Sequence, residues 1–242
     1  MRIVPGTKVR QTLQQAVKPA KPKGNPNSIK IATVNDDFTD KKSNLRRVNA
    51  DVVLLQETKN SRLRKVRPNS DRWGVHQAKR EDKAGSSVVW DKKSVKATDR
   101  GYALGVKPQG AKMLKRWISW TDIKVGDQTV RMMSVHRPPA RFKRLWPDFD
   151  RNLARFVKSS KVPVIIGMDA NQVNPRKLAH LTGLRWHAPK GNHPVSGKTP
   201  IDGFLASRGI KFENVRRLQR GTSDHHPVTA KITITDRVRT GG

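Results

Sequence analysis

The stretch Gly221–Val228 reads G-T-S-D-H-H-P-V and leads into alternating apolar and polar residues that predict a half-buried strand over 228–235. Asp224 and His225 therefore stand side by side where this strand begins. A short polar run before a strand is commonly a turn in which Ser or Asp caps backbone groups. An acid beside an imidazole is also a pair suited to hydrolytic chemistry. The stretch alone leaves both interpretations open, so the choice depends on the rest of the chain.

Polar side chains also stand at the ends of five other predicted strands. Continuous apolar runs at 51–56 and 163–167 predict strands buried on both faces, and 112–124 with 128–136 predict a hairpin. Alternation predicts a strand over 29–34, and 201–206 predicts a short one. Ligands gather at the carboxyl ends of strands in open α/β sheets. The polar residues at these five ends are Asn35, Glu57, His136, Asp169 with Asn171, and Asp202. On this evidence Glu57 is either a ligand-site acid or a cap for a following helix.

Helices are fewer than strands in this interpretation. The patterns predict a helix over 40–50, a second over 141–158 that is kinked or restarted at Pro147, and a short one near 177–181. A further strand is expected at 211–220, whereas 95–104 is weakly patterned. Trp117 and Trp120 are interpreted as core residues, with base stacking as the alternative. Strands without strict β-α alternation predict a layered α/β sandwich.

The composition indicates a polyanionic partner. The 242 residues include 51 Lys+Arg and 19 Asp+Glu, which gives a net charge of +32 and a pI near 11.4. Such a charge attracts phosphate backbones through counterion release. We therefore expect nucleic acid as the partner, DNA first and RNA second, and a monomeric protein. The residues expected to contact it are Lys18, Lys21, Lys23, Arg137, Arg141, Lys143 and Arg144.

The chain is expected to hold one domain with a basic extension. Residues 1–28 carry six basic side chains, no acid and four prolines, which predicts a disordered arm that is either an electrostatic tether or a mere extension. Residues 29–235 form the domain and 236–242 a short tail. Because there are no cysteines, disulfides and thiolate zinc sites are excluded. No signal peptide or membrane-spanning run is evident, so a cytoplasmic protein without membrane contact is expected.

The six strand-end groups together suit one type of chemistry. Carboxylates are hard oxygen ligands that suit Mg²⁺, with Mn²⁺ as an alternative, and too few of them are present to enclose the ion without water and a substrate phosphate. A histidine paired with an aspartate can serve as a general acid or base. This inventory predicts metal-assisted attack of water on a phosphodiester.

At this point the sequence resembles the endonuclease/exonuclease/phosphatase superfamily, which includes DNase I-like and exonuclease III-like enzymes. The segments that carry the resemblance, in the family's order, are T-V-N (33–35), L-L-Q-E-T (54–58), S-V-H (134–136), G-M-D-A-N (167–171), I-D-G-F (201–204) and S-D-H-H-P-V (223–228). The resemblance implies a four-layer α/β sandwich of two packed mixed β-sheets flanked by helices. L-Q-E-T-K (55–59) resembles the exonuclease III-like branch, whereas His136 favours the DNase I-like branch, so the branch stays open.

The resemblance also implies roles for individual residues. Glu57 would be the principal metal ligand with Asn35 beside it, and Asp224 would lie near the metal. Asp169 would bind or activate the attacking water, or hold a second metal. The remaining catalytic roles fall on Asn171 at the scissile phosphate, His136 as the acid toward the leaving oxygen, and His225 as the base or phosphate-stabilising histidine, oriented by Asp202.

These roles predict a metal-dependent nuclease of low sequence specificity. Phosphate contacts from Lys and Arg carry no base information, so affinity should depend steeply on salt. Two alternatives remain: a non-catalytic nucleic-acid-binding module on the same fold, and a phosphatase or phosphodiesterase acting on small or lipid phosphoesters.

Overall fold

A computed structural model of the chain describes residues 27–36, 48–58, 71–77, 85–107, 115–190, 200–221 and 223–235. These residues form two six-stranded sheets, one 3₁₀ helix and two α-helices. The strands are β1 (Ser28–Asn35), β2 (Val52–Gln56), β3 (Trp73–Gln77), β4 (Ser87–Asp91), β5 (Lys96–Val106), β6 (Arg116–Val125), β7 (Gln128–His136), β8 (Val164–Asp169), β9 (Arg185–His187), β10 (Asp202–Ala206), β11 (Ile210–Arg217) and β12 (Val228–Ile234). The helices are the 3₁₀ helix Ala140–Leu145, α1 (Trp146–Lys158) and α2 (Arg176–Thr182).

The two sheets are built on the same plan. The first has the order β11-β12-β1-β2-β4-β3 and the second β5-β6-β7-β8-β10-β9. Each contains one parallel pair, β1 with β2 or β7 with β8, and antiparallel neighbours on both sides. This confirms the prediction of two packed mixed sheets. As a result, the carboxyl ends of each parallel pair lie beside the beginnings of its antiparallel neighbours β10 and β12.

The main core lies between the sheets. Along β2, Val52 and Leu54 point into this core, whereas the side chains of Val53 and Leu55 pack on the other face. All of β2 is buried, as its continuous apolar sequence predicts. The sheets lie close together at Gly167 in β8, where a Cβ atom would lie 2.7 Å from the Cβ of Leu54. Glycine is therefore required there for the sheets to pack at this distance.

The outer face of the second sheet is covered by α1. Phe149, Leu153 and Val157, spaced four residues apart, pack onto apolar side chains of β6, β7 and β8. The helix begins at Trp146, directly after the 3₁₀ helix, with Pro147 in its first turn. Proline is tolerated there because the first N–H groups of a helix have no intrahelical partner. The predicted restart at Pro147 is confirmed.

Several local expectations need correction or fall outside the described residues. Most of the weakly patterned segment at 95–104 belongs to an eleven-residue edge strand, β5, whose residues are mostly exposed or half-buried and show no clear apolar alternation. The three-residue strand β9 was not predicted. Of the helix predicted at 40–50, only 48–50 are described, and these are not helical. The arm up to residue 26, with Lys18, Lys21 and Lys23, and the tail from 236 lie outside the described residues. No described helix has the length and apolar character needed to cross a membrane.

Candidate active site

The strand ends of both sheets converge at one end of the sandwich. In the first sheet Asn35 ends β1 and Glu57 directly follows β2, and in the second sheet His136 and Asp169 end the parallel strands. The Asn35 Nδ2 donates to Asp169 Oδ2 across the two sheets at 3.1 Å. His136 Nε2 lies 3.4 Å from both Glu57 Oε1 and Asp169 Oδ2. The four groups predicted at these strand ends therefore form one cluster.

Buried hydrogen bonds of the Gln56 side chain link the two sheets next to this cluster. The amide of Gln56, directly before Glu57, donates to Ser134 Oγ in β7 and to the Gly167 carbonyl in β8, each at 3.1 Å. Its Oε1 accepts a hydrogen bond from Thr33 Oγ1 at 3.2 Å. A fully buried amide is favourable only when its groups are paired in this way. The sequence showed Gln56 only as a neighbour of Glu57, so its role was not predicted.

The stretch before β12 completes the cluster by bringing His225 to Asp202. The two meet at 2.8 Å between His225 Nδ1 and Asp202 Oδ2, and His225 Nε2 lies 3.8 Å from Asp169 Oδ2. Ser223 fixes this loop, because its Oγ donates to the Asn35 carbonyl at 2.8 Å and accepts the His225 backbone N–H at 3.0 Å. The S-D-H run is therefore both a turn and part of the cluster.

The charge state of this cluster follows from its neighbours. Burial alone would lower the pKa of His225, but the hydrogen bond and charge of Asp202, supported by Asp169 and Asp224, outweigh it and raise the pKa to about 10. Burial raises the pKa of Asp169 to about 7, and the charge of Asp202 adds to this effect. His225, the Asn171 backbone N–H and Asn35 act in the opposite direction on Asp169. His225 is thus an imidazolium at neutral pH.

His136 has the opposite environment. Burial, followed by the charges of Arg116 and His225, lowers its pKa well below the ordinary value. Its Nδ1 lies 3.2 Å from Nη1 of Arg116, a buried residue of β6. Because a guanidinium can only donate, Nδ1 is the acceptor and Nε2 carries the hydrogen of the neutral ring. That hydrogen is directed toward Glu57 and Asp169. Nothing in the sequence pattern pointed to Arg116.

Asn171 lies beside Asp169, whereas Asp224 lies at the surface. Asn171 adopts φ of 48°, donates its backbone N–H to Asp169 Oδ1 at 2.8 Å, and donates Nδ2 to the Arg137 carbonyl at 2.9 Å. The Asp224 side chain is 71% exposed, with Oδ1 3.7 Å from His225 Nε2. His226 Nδ1 lies 2.8 Å from the Leu218 carbonyl oxygen.

The basic residues expected to bind nucleic acid divide into two groups. Arg141, Lys143 and Arg144 are exposed on the 3₁₀ helix that follows β7. Arg137 is only 3% exposed, and its guanidinium donates to Asp150 and Gln172. The expectation that Arg137 contacts a phosphate therefore has to be replaced, because its charge is already directed into the protein.

The carboxylates of the cluster suit a divalent cation. Asp169, Asp202 and His225 each offer a ligand atom within 4.8 Å of the others. However, the imidazolium of His225 donates toward Asp202 and has no lone pair to offer a metal. Glu57 and Asp169, with Asn35 alongside, are the hard oxygen donors that Mg²⁺ or Mn²⁺ prefers. Asp202 Oδ1 is buried and has no hydrogen-bond partner among the residues that the structure describes, which suits a further donor or a cation at this oxygen.

The packed mixed sheets and the acid–histidine cluster at their joint end define the DNase I-like α/β sandwich, a fold of phosphoester hydrolases. The chain belongs to the endonuclease/exonuclease/phosphatase family, whose sequence model matches residues 42–225. Members of this family hydrolyse phosphoesters and generally use divalent metal ions. No curated protein matches the sequence.

Solved structures share the fold at low sequence identity. An endonuclease/exonuclease/phosphatase from Bacteroides vulgatus gives a TM-score of 0.68 at 12% identity, covering 86% of this chain and 99% of that one. A humanized D. rerio TDP2 gives 0.66 at 15%, with coverage of 86% and 99%. A mannosyl-6-phosphatase from Bacteroides thetaiotaomicron gives 0.62 at 14%, with coverage of 85% and 100%. At these identities the similarity establishes the fold alone.

Proposed function

We propose that this protein is a metal-dependent nuclease that hydrolyses phosphodiester bonds, DNA first and RNA second, with low sequence specificity. The observation that carries the proposal is the cluster of Asp169, Asp202 and His225 in a chain of net charge +32. The cluster supports hydrolysis of a phosphoester, and the charge supports a polyanionic substrate. D. rerio TDP2, which shares the fold, has been solved with a single-stranded DNA product.

The geometry supports distinct roles for the two acids and the two histidines. Asp169, with a pKa of about 7, is suited to hold the attacking water and accept its proton near neutral pH. The His225 imidazolium, held by Asp202, stabilises negative charge that develops on the phosphate. This favours the phosphate-stabilising role of His225 over the role of base. Asn171 carries two amide hydrogens and gives one to Arg137, so the other is suited to a phosphate oxygen.

The role of His136 differs from the acid expected from the resemblance. A neutral, buried imidazole has no extra proton to transfer at pH 7, and Nε2–H is directed into the cluster. His136 is therefore suited to donate a hydrogen bond to a substrate oxygen or to a carboxylate. A divalent cation held by Glu57 and Asn35 would polarise the phosphoryl oxygen and increase the acidity of bound water.

A sugar phosphatase is the second candidate, because the mannosyl-6-phosphatase from Bacteroides thetaiotaomicron shares the fold. A small monoester needs only a few cationic contacts, so this candidate leaves the net charge of +32 without a role. The exposed Arg141, Lys143 and Arg144 beside the end of β7 favour an extended phosphate backbone instead.

A plasmid-nicking assay tests the proposal. Supercoiled DNA is incubated with the protein plus Mg²⁺ or plus chelator, beside His225→Ala and Glu57→Ala. His226→Ala is the matched control, since Nδ1 of that ring lies 2.8 Å from the Leu218 carbonyl oxygen, whereas Nδ1 of His225 meets Asp202. We expect nicking by wild type and by the control, only with metal, and an affinity that falls steeply with salt. Tight binding without cleavage would indicate the non-catalytic module, and hydrolysis of sugar phosphates alone would indicate the phosphatase.

A further inference from the structure

Arg137, the residue after His136, is fixed to the first turns of α1. Its Nε donates to Asp150 Oδ1 at 3.0 Å, and its Nη2 donates to Asp150 Oδ2. The guanidinium carbon lies 3.9 Å from the ring centroid of Trp146, whose Nε1 donates to the Pro138 carbonyl at 2.8 Å. A two-point ion pair combined with stacking on an aromatic ring fixes the plane of a guanidinium. This arginine is therefore held rigidly by the helix.

The same residue also contacts the loop that carries the site, at three points. Its Nη1 donates to Gln172 Oε1 at 2.6 Å. Its backbone N–H donates to the Asp169 carbonyl at 3.1 Å, and its own carbonyl accepts from Asn171 Nδ2 at 2.9 Å. Asn171 adopts a left-handed backbone conformation, which an L-residue keeps only when its surroundings impose it.

We propose that Arg137 is a positioning residue that couples α1 to the loop 169–172 and so holds the Asn171 amide and the Asp169 carboxylate in place. This rests on the proposed function, in which these two groups contact the phosphate and the attacking water. Because the guanidinium donates to Asp150 and Gln172 and is 3% exposed, Arg137 acts through the loop and not on the substrate.

Arg131, which lies on β7, the strand that Arg137 directly follows, provides a matched control. Its Nε and Nη2 donate to the two oxygens of Asp122 at 2.7 and 2.9 Å, and its guanidinium carbon lies 3.9 Å from the ring centroid of Trp120. This is the same fork and the same stacking distance as at Arg137. Arg131, however, lies near the beginning of β7, next to Val164 at the beginning of β8, far along both strands from the site. The side chain of Arg131 is more exposed, at 15% against 3%, and its acid lies on a neighbouring strand, whereas Arg137 contacts the helix and the site loop.

The experiment compares Arg137→Lys, Arg131→Lys and Gln172→Ala in the full chain. A lysine keeps the charge but cannot reproduce the fork or the stacking. We expect a lower Tm for both arginine variants. We expect kcat for plasmid nicking to fall about 10- to 100-fold in Arg137→Lys, and less in Gln172→Ala, with KM within about threefold, because a small displacement of reacting groups has costs of this order. Arg131→Lys should keep kcat within about threefold.

Hydrogen exchange provides a measurement that does not depend on activity. The Asn171 backbone N–H is held by Asp169 Oδ1, so loss of the coupling should accelerate exchange at 170–172 in Arg137→Lys and in Gln172→Ala, but not in Arg131→Lys. If Arg137→Lys does not fold, Gln172→Ala alone carries the test.

Three outcomes would overturn the inference. Unchanged hydrogen exchange at 170–172 in the variants would overturn the positioning role of Arg137, whether or not the protein is a nuclease. Absence of phosphodiester hydrolysis by the wild-type protein would refute the proposed function instead. If Arg131→Lys lost as much kcat as Arg137→Lys, the effect at Arg137 would reflect only the loss of a structural ion pair. A higher KM with a shallower salt dependence and unchanged kcat would show that Arg137 contacts the phosphate backbone itself.

Discussion

In the first sheet the parallel strands end in an amide and a lone carboxylate, Asn35 and Glu57, whereas in the second they end in a histidine and a buried aspartate, His136 and Asp169. The sheets share one strand plan, so this difference arises from the residues at the strand ends and not from topology. Each sheet also contributes to the other: Asn35 reaches Asp169, and His225, which precedes β12 of the first sheet, reaches Asp202 of the second.

The candidate site draws its side chains from both sheets. The second sheet holds Asp169 and Asp202, and burial, followed by the charge of Asp202, raises the pKa of Asp169. The first supplies the His225 cation that opposes this rise and the Asn35 amide that bonds the carboxylate. The site is therefore as dependent on the packing between the sheets as on its own residues.

Breaking the pair between the sheets should have the largest effect. Asp202→Asn and His225→Ala should each lower kcat/KM for plasmid nicking by about 10²- to 10³-fold, the range for removal of a group that stabilises charge developing in the transition state. Because Asp202 acts through His225, the double variant should lose little beyond the worse single variant. Kinetics of the four proteins in this cycle measure the coupling. Losses that simply add would show that the two residues act independently.

The members of the cluster were predictable from the sequence because they are polar or ionisable side chains at the ends of predicted strands. Each of these residues stands at the end or the beginning of a segment whose apolar pattern predicts a strand. They are Asn35, Glu57, His136, Asp169 and Asp202. Parallel strand order then brings these ends together. The catalytic roles themselves are implied by the family resemblance, and we propose a different role for His136 because burial, followed by the charge of Arg116, lowers the pKa of this ring.

The partners that set the charge state were not predictable. Arg116 stands in a run of basic residues, and only the packing of β6 against β7 brings it to His136. The sequence predicts Arg137 as a phosphate contact, because nothing in the residues around it indicates that an arginine at this position is buried. Its acid, Asp150, lies 13 residues further along the chain, where only the packing of α1 reveals it.

The contribution of the hydrogen bonds between the sheets can be measured by replacing Gln56. Gln56→Leu keeps a similar volume but leaves the Gly167 carbonyl and the Thr33 hydroxyl without the amide that pairs them. We expect the free energy of unfolding to fall by about 1–3 kcal/mol, the cost of buried polar groups left unpaired. Urea unfolding measures it.

Gln77→Leu is the control for this change. Gln77 is a half-buried residue at the end of β3, and its amide donates to the Thr58 carbonyl at 3.2 Å, within the first sheet. We expect a loss below about 1 kcal/mol, because water can replace that single partner. Equal losses in the two variants would mean that the Gln56 hydrogen bonds between the sheets contribute no more to the free energy of unfolding than one ordinary hydrogen bond.

The smallest effect is expected at Asp224, the acid beside His225 in sequence. It is 71% exposed, 3.7 Å from His225 Nε2, and it ranks behind Asp202 and Asp169 among the groups that raise the pKa of that ring. Exposed charge pairs contribute little because water screens them. Asp224→Asn should therefore change kcat by less than about threefold, whereas Asp202→Asn removes the direct hydrogen bond. A titration of activity with Mg²⁺ checks the metal role expected from the resemblance. If half-maximal activity needs about tenfold more Mg²⁺ in Asp224→Asn, the acid turns toward the cation when the metal binds, and the first sheet contributes two carboxylates to the site instead of one.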